Sequence, residues 1–382
     1  MMDLAITGRI VTTDGINEST ICIKDGRIVK IGEERQSIHL SDSSLIFPGF
    51  IDAHVHLRED PSQQWSYKED FLTASRAAVH GGVTTVADMP NNPLPAISKE
   101  SIKEKIELSK KAIINILFYG GVVSENLQQL KEFSDLVCGY KIYAAETTGK
   151  LILKEEDMED AIRVIAETGK SIVFHCEVND LEKILGLGKK YNAKTHIAHV
   201  SKKSEIEIIK QYKDKMQLTC ETCPHYLFFT RDNFKQKVKP EIGNQGDRSA
   251  LLEALKNGTI DILATDHAPH TIEDKVKGAS GFPGLDTYGN FVAWLLNELK
   301  PEQIVRLTSK NPAKLLGINN RGIEEGAIAN LTILDMQKTT IKKEDLQTKC
   351  RWSPFEGYEF PGQAVYTIYH GKLLMNNKNI QF

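Results

Sequence analysis

From Ile46 onward the chain repeats one pattern: a short β-branched apolar run, polar residues at its end, then a charged stretch with helical spacing. Eight such runs can be counted, FPGFIDAHVHLR, VTTVADMPNN, INILFYGGVV, LVCGYKIYAAE, SIVFHCEV, KTHIAHVS, QLTCETCPHYL and IDILATDHAPH. Amphipathic stretches lie between them, among them YKEDFLTASRAAVH, KESIKEKIELSKKA, EEDMEDAIRVIAETG, KSEIEIIKQYKDK and DRSALLEALKNG. Alternating strands and helices predict a parallel sheet, and eight units are the number that closes into a (β/α)8 TIM barrel.

The two ends follow a different pattern. LAITGRIVTTDG and STICIKDGRIVKIG alternate apolar and polar residues around DG and GR turns, which predicts antiparallel β structure. The same style returns in NLTILDM and AVYTIYHGKLL, after a last helical stretch, LTSKNPAKLLGI. The expected architecture is α/β: a barrel over 49–323, with 1–48 and 324–382 joining into a small composite β-sandwich domain. There is no low-complexity linker and no short-period repeat.

Composition narrows the function classes. The 382 residues leave room for one barrel of about 250 residues and a smaller unit. Lys and Arg total 48 against 51 Asp and Glu, a net charge of −3, so no basic excess points to nucleic acid and a small-molecule substrate fits better. The opening MMDLAITGRIVTTDG has no secretory pattern, and no apolar run reaches the roughly 18 residues of a membrane span. A cytoplasmic enzyme without membrane partners is the expectation, its oligomeric state left open, a homo-oligomer included. The six cysteines are scattered, as reduced core thiols are; Cys220 and Cys223 have CxxC spacing but no second pair, and read as core of the seventh strand.

The strongest chemical signal is Asp52-Ala53-His54-Val55-His56-Leu57-Arg58 at the end of the first barrel run. Residues i and i+2 of a strand face one side, so His54 and His56 can present two imidazoles to one metal. Alone, an HxH pair is more often two unrelated histidines. Here His175, His196, His199, Asp266, His267 and His270 recur at the ends of later runs, and in a barrel those ends converge on the active-site face. Several imidazoles with one carboxylate suit zinc, manganese or iron, zinc foremost, rather than calcium. Two such ions about 3.5 to 4 Å apart could share a hydroxide whose parent water has its pKa pulled toward about 7.

DAHVHLRE, MPNN, KIYAAET, HIAHVSKK, CPHYLFFT, TDHAPH, GFPGLDT and SPFEG, in this order from about Gly49 to Gly357, resemble the segments of the dihydroorotases of the amidohydrolase superfamily. The resemblance implies two Zn2+ bridged by a carboxylated lysine (N6-carboxylysine) and a hydroxide, with Lys141 in the lysine's place. His54, His56, Lys141 and Asp266 would hold one ion, and Lys141, His175 and His199 the other. A lysine pressed against two cations is destabilised as ammonium, and reaction of its neutral amine with CO2 yields an anionic carbamate. Without the resemblance, a lysine snorkelling to solvent is the simpler reading. Asp266 would also be the proton shuttle.

The same resemblance assigns substrate contacts to His56, Arg58, Asn91 and His270, with Ser280 and Gly281 in a loop closing over the ring. Guanidinium offers a two-pronged partner to a substrate carboxylate, and glycines allow close backbone approach. The implied reaction is reversible cyclisation of N-carbamoyl-L-aspartate to dihydroorotate, in de novo pyrimidine synthesis. The chain departs from some relatives in carrying Lys239, in KVKPEIGN, where they carry arginine or asparagine. His196, His225 and His267 are expected to hydrogen-bond behind the ligands. Another cyclic amidohydrolase, a hydantoinase, dihydropyrimidinase or allantoinase, is the first alternative. A non-catalytic subunit is the second, opposed by every expected ligand position being filled.

Overall fold

A computed structural model describes residues 3–32, 38–145 and 151–381 of the chain; Glu146 and Thr147 of the fourth-strand motif lie outside the described residues. The eight apolar runs form eight strands: Phe50–Val55 (β1), Val83–Asp88 (β2), Asn115–Gly121 (β3), Gly139–Tyr143 (β4), Ser171–His175 (β5), Lys194–Ile197 (β6), Leu218–Thr222 (β7) and Ile262–Leu263 (β8). Each pairs in parallel with its sequence neighbour. The ring is nearly closed by Val55, which bridges His267 in parallel, and by the His56 amide, which donates to the His267 carbonyl at 2.7 Å. That closure binds the backbone of the DAHVH segment to that of TDHAPH.

Side-chain alternation builds two apolar layers. Tyr140, Ile142, Ile172, Phe174 and Ile197 point outward and pack on the helices, while Ile51, Ala53, Ala87, Tyr119, Val173, Ala198 and Ile262 pack with one another in a separate core. Lys141 pairs with Val173, and Val173 with His196, so these three alternate with the outward-facing set and share one level across β4, β5 and β6.

The terminal segments combine in one nine-stranded sheet, with its own core of Ile6, Ile10, Ile21, Ile23, Ile46, Leu331, Ile333 and Ile368. Most of its pairings are antiparallel, but Leu4–Thr12 runs parallel to Ser44–Pro48. Asp25 and Gly26 form the two-residue turn expected of a DG pair, with φ of 50° and 75°. Gly8-Arg9 does not turn: it continues inside Leu4–Thr12, opposite Ser19 and Glu18, because the alternation runs unbroken through Ile10 and Val11. No helix among the described residues is long and apolar enough to cross a membrane.

One helix begins later than its periodicity predicts. YKEDFLTASRAAVH is helical only over Phe71–His80, because Asp70 caps it: its side chain accepts from the Thr73 amide at 2.9 Å, and the Thr73 hydroxyl reciprocates. Lys68 and Glu69 are thereby left before the helix, where Lys68 reaches His270 of the TDHAPH segment and Glu69 accepts from the Lys349 amide and the Thr348 hydroxyl.

Candidate metal centre and active site

His54 lies in β1 and His56 directly after it. Their Nε2 atoms are 3.4 and 3.2 Å from one oxygen of Asp266, and all three side chains are buried. The ligand atoms of the three lie within 4.8 Å of one another. Asp266 follows β8 with φ of 48°, a left-handed conformation that aspartate tolerates better than most residues. His199 (39°) and Arg58 (64°) share that region of backbone space, so three of the residues picked out by sequence sit on unusual backbone.

The outer nitrogens fix the protonation of the inner ones. His54 Nδ1 is 2.5 Å from Glu221 Oε1, and His56 Nδ1 is 2.7 Å from Asn91 Oδ1. Carboxylate and amide oxygens only accept, so each Nδ1 carries the proton and each Nε2 presents a lone pair toward Asp266. Three acceptors then converge with no proton among them. Burial reinforces this by lowering the His56 pKa to about 4, against the pull of Asp266. Burial raises the Asp266 carboxyl, and it lies well below its ordinary range only with positive charge at His54, His56 and His199; with those rings neutral, a bound cation would have to supply that charge. An acceptor surplus of this kind, made of two imidazoles and an ionised carboxylate, suits a transition-metal cation.

His175 ends β5 and His199 follows β6; His175 Nδ1 meets His199 Nε2 at 2.7 Å. The His199 and His54 ring centroids are 5.4 Å apart, which places the two groups side by side. Burial, the neighbouring His175 and the Lys141 charge push the His199 imidazole well below its ordinary value. Lys141, on β4, is fully buried. Among the described residues, neither its Nζ nor His199 Nδ1 has a hydrogen-bond partner. Burial lowers the Lys141 pKa to about 8, although Glu221 and Asp266 pull it upward. Its Nζ lies 5.4 Å from the centroid of the Tyr143 ring, but a buried amine with no hydrogen-bond acceptor is costly unless something at the site engages it. These residues therefore fit a metal centre that includes Lys141.

Glu221 went unnoticed in the sequence, where it stands between Cys220 and Cys223 in a run that reads as core. The structure turns it inward: one oxygen takes His54 Nδ1, the other lies 3.1 Å from His196 Nε2, and the His199 amide donates to it at 3.3 Å. Burial raises its carboxyl, but the charges and hydrogen bonds of His54 and His196 bring it well below the usual range. The one signal available was a carboxylate inside an apolar strand, which is rarely buried without partners. Glu221→Gln is expected to weaken zinc binding about 10- to 100-fold with the fold retained, as read by competition with a chromogenic chelator. Unchanged affinity would remove Glu221 from the support of His54.

The first-strand segment is anchored twice more. Asp52 accepts from the Thr265 hydroxyl at 2.5 Å and the Thr265 amide at 3.1 Å, again joining β1 to the Asp266 segment. Asp88 accepts from the Leu57 amide at 2.8 Å and pairs with buried Lys105 at 2.6 Å. Lys105 also donates to Asn92 at 2.8 Å, beside Asn91.

Around this centre lie the remaining residues singled out by sequence. Arg58 is buried, with Nη2 3.3 Å from His270 Nε2 and Nε donating to the Pro269 carbonyl at 3.3 Å. Gly281 (φ 104°) passes so close to Ala268 that a Cβ would sit 2.9 Å from its carbonyl oxygen, and the Phe282 carbonyl accepts from the Ala268 amide at 3.0 Å. Ser280, next to it, is half-buried. His267 Nδ1 accepts from the Gly284 amide at 3.1 Å, which fixes the same loop. His196 bonds Glu221 and the Thr219 hydroxyl, while buried His225 packs edge-on against Phe282. Lys239 lines a cavity of about 340 Å³ together with His175, Ser201 and Glu205. Cys220 and Cys223 are buried free thiols.

Known proteins resemble the chain throughout its length. The amidohydrolase family profile matches residues 45–374. A dihydroorotase of Pyrococcus horikoshii is 36% identical over 405 aligned positions, covering 99% of this chain and 93% of that protein. A dihydroorotase of Pyrococcus abyssi is 33% identical over 401 positions, covering 99% and 96%. The solved structure of L-hydantoinase (dihydropyrimidinase) from Arthrobacter aurescens superposes with a TM-score of 0.92 at 26% identity, covering 100% of this chain and 98% of that one. A nearly closed eight-stranded barrel, a buried His-His-Asp group at the ends of its strands and likeness over the whole chain lead to one assignment: the chain belongs to the amidohydrolase family and is a hydrolase of cyclic amide carbon–nitrogen bonds.

Proposed function

We propose that the chain is a dihydroorotase, interconverting N-carbamoyl-L-aspartate and (S)-dihydroorotate in de novo pyrimidine (UMP) synthesis. The observation that carries this reading is a buried cationic group, Arg58 with His270 at 3.3 Å, beside the His54–His56–Asp266 cluster. Dihydroorotate differs from hydantoins and plain dihydropyrimidines in carrying a ring carboxylate, which a guanidinium can grip. Near-full-length likeness to dihydroorotases supports the same choice.

His54, His56, Lys141 and Asp266 would hold one zinc ion, and Lys141, His175 and His199 a second, with Lys141 carboxylated on its amine. When bound, the ions supply a water of lowered pKa and polarise the amide carbonyl. Asp266 accepts the proton lost by the attacking water and returns it to the ring nitrogen as the C–N bond breaks; in ring closure it works in reverse. His54 and His56 keep their Nε2 lone pairs inward because Glu221 and Asn91 hold their Nδ1 protons. Arg58, His270 and Asn91 orient the carboxylate, and backbone groups of Ser280 and Gly281 close over the ring.

Hydrolysis of L-dihydroorotate, followed by the ultraviolet absorbance of the ring, tests the reading. Activity is expected to vanish with a chelator and return with zinc. No activity in zinc-loaded protein, with turnover of hydantoin or allantoin instead, would replace dihydroorotate as the substrate. Arg58→Ala is expected to lower kcat/KM for dihydroorotate about 10- to 100-fold, mainly through KM, as one charge-assisted contact is lost. An unchanged kcat/KM would remove the basis for the substrate choice.

A further inference from the structure

Beside Arg58, two cationic donors meet one imidazole, that of His270. Lys68 lies in the turn before helix Phe71–His80 and is buried despite its charge. Its Nζ is 3.1 Å from His270 Nδ1, and across the same ring His270 Nε2 is 3.3 Å from Arg58 Nη2. Ammonium and guanidinium are donors only, whereas a neutral imidazole has one lone pair. Burial and the Arg58 and Lys68 charges keep the His270 ring neutral, with its pKa pushed down to about 2. The ring can therefore accept from one of its two cationic neighbours and must face the other with its own N–H.

The shorter contact is that of Lys68. With Lys68 donating to Nδ1, the ring proton sits on Nε2, so Nε2–H and the Arg58 Nη2–H stand side by side without an acceptor between them among the described residues. Asp274 lies on the Lys68 side of the ring: it is 3.3 Å from Lys68 Nζ, 3.8 Å from His270 Nδ1, and accepts from the Tyr67 hydroxyl at 3.1 and 3.2 Å. The geometry is held in place by the Trp352 indole, which donates to the His270 carbonyl at 2.7 Å, and by the Trp65 ring, 5.0 Å from Lys68 Nζ.

We propose that Lys68 is a positioning residue for substrate-carboxylate recognition: by donating to His270 Nδ1 it fixes the tautomer whose Nε2–H, paired with Arg58, forms a two-donor seat for that anion. The inference rests on the reading of a carboxylated cyclic amide as substrate. A lysine that merely ties its turn to Asp274 would affect folding, and would not depend on what donates to His270.

Steady-state kinetics of the zinc-loaded enzyme on L-dihydroorotate separate these roles. Lys68→Met is expected to raise KM about 10-fold or more with kcat within about threefold, as a charge-assisted donor is lost. Lys68→Gln, whose amide still donates to Nδ1, is expected to keep KM within about threefold of wild type, as is Asp274→Asn, which removes only the clasp charge. An unchanged KM in Lys68→Met, or a 10-fold rise in Lys68→Gln, would overturn the role of Lys68. Should Lys68→Met fail to fold, the Gln variant alone decides. A wild-type enzyme inactive on dihydroorotate would instead overturn the substrate reading.

Discussion

Asp266→Asn is expected to lower turnover of dihydroorotate by about three to four orders of magnitude while leaving the protein folded and much of its zinc bound. Asparagine has the shape of aspartate and tolerates the same left-handed backbone, so the 48° φ at this position need not change. Its amide oxygen can still face His54 and His56, which lie 3.4 and 3.2 Å from the carboxylate now. What it cannot do is accept and release a proton. With the neighbouring imidazoles neutral, a bound cation would keep Asp266 ionised, and an ionised carboxylate can accept one. Initial rates alongside metal analysis of the same samples make the test. Near-normal turnover would exclude Asp266 as the shuttle, and loss of all zinc would reduce it to a ligand.

Lys141→Met is expected to abolish measurable turnover, with zinc content falling by at least half, because one residue of both proposed ligand sets is lost. Methionine has a similar length and no charge, so it fills the same space. The metal-free variant is expected to unfold at or above the temperature of the metal-free wild type. Lys141 Nζ is fully buried and without a hydrogen-bond partner among the described residues, and burial already drives its pKa down to about 8. Removing such a group relieves a desolvation cost in the folded state. Thermal unfolding of chelated samples measures this. A variant that loses zinc and also melts well below wild type would show Lys141 to be part of the folding core rather than of the metal centre alone.

Much of the barrel was legible because strand and helix periods are local. Each apolar run became a strand, and the i, i+2 spacing of His54 and His56 brought both rings to Asp266. The helix start at Phe71 was less legible: the periodicity extends back to Tyr67, but the Asp70–Thr73 capping box stops it, and only that stop frees Lys68 for His270. Glu221 was not legible at all. Its partner His54 is 167 residues away, and nothing in the spacing of CETC says that a carboxylate there faces two imidazoles.

Sequence by itself determined the order and kind of the elements, the candidate ligands at strand ends and the family, since these depend on short-range spacing and on motifs in order. Tertiary structure alone decided which nitrogen of His54 and of His56 faces the centre, that Lys141 is buried without a hydrogen-bond partner among the described residues, and that Arg58 and Lys68 meet on the one ring of His270. Those properties arise from hydrogen bonding and desolvation among side chains that are far apart along the chain, for example Arg58 and His270 at a separation of 212 residues. Local periodicity carries no information about them, because they exist only once the barrel has closed.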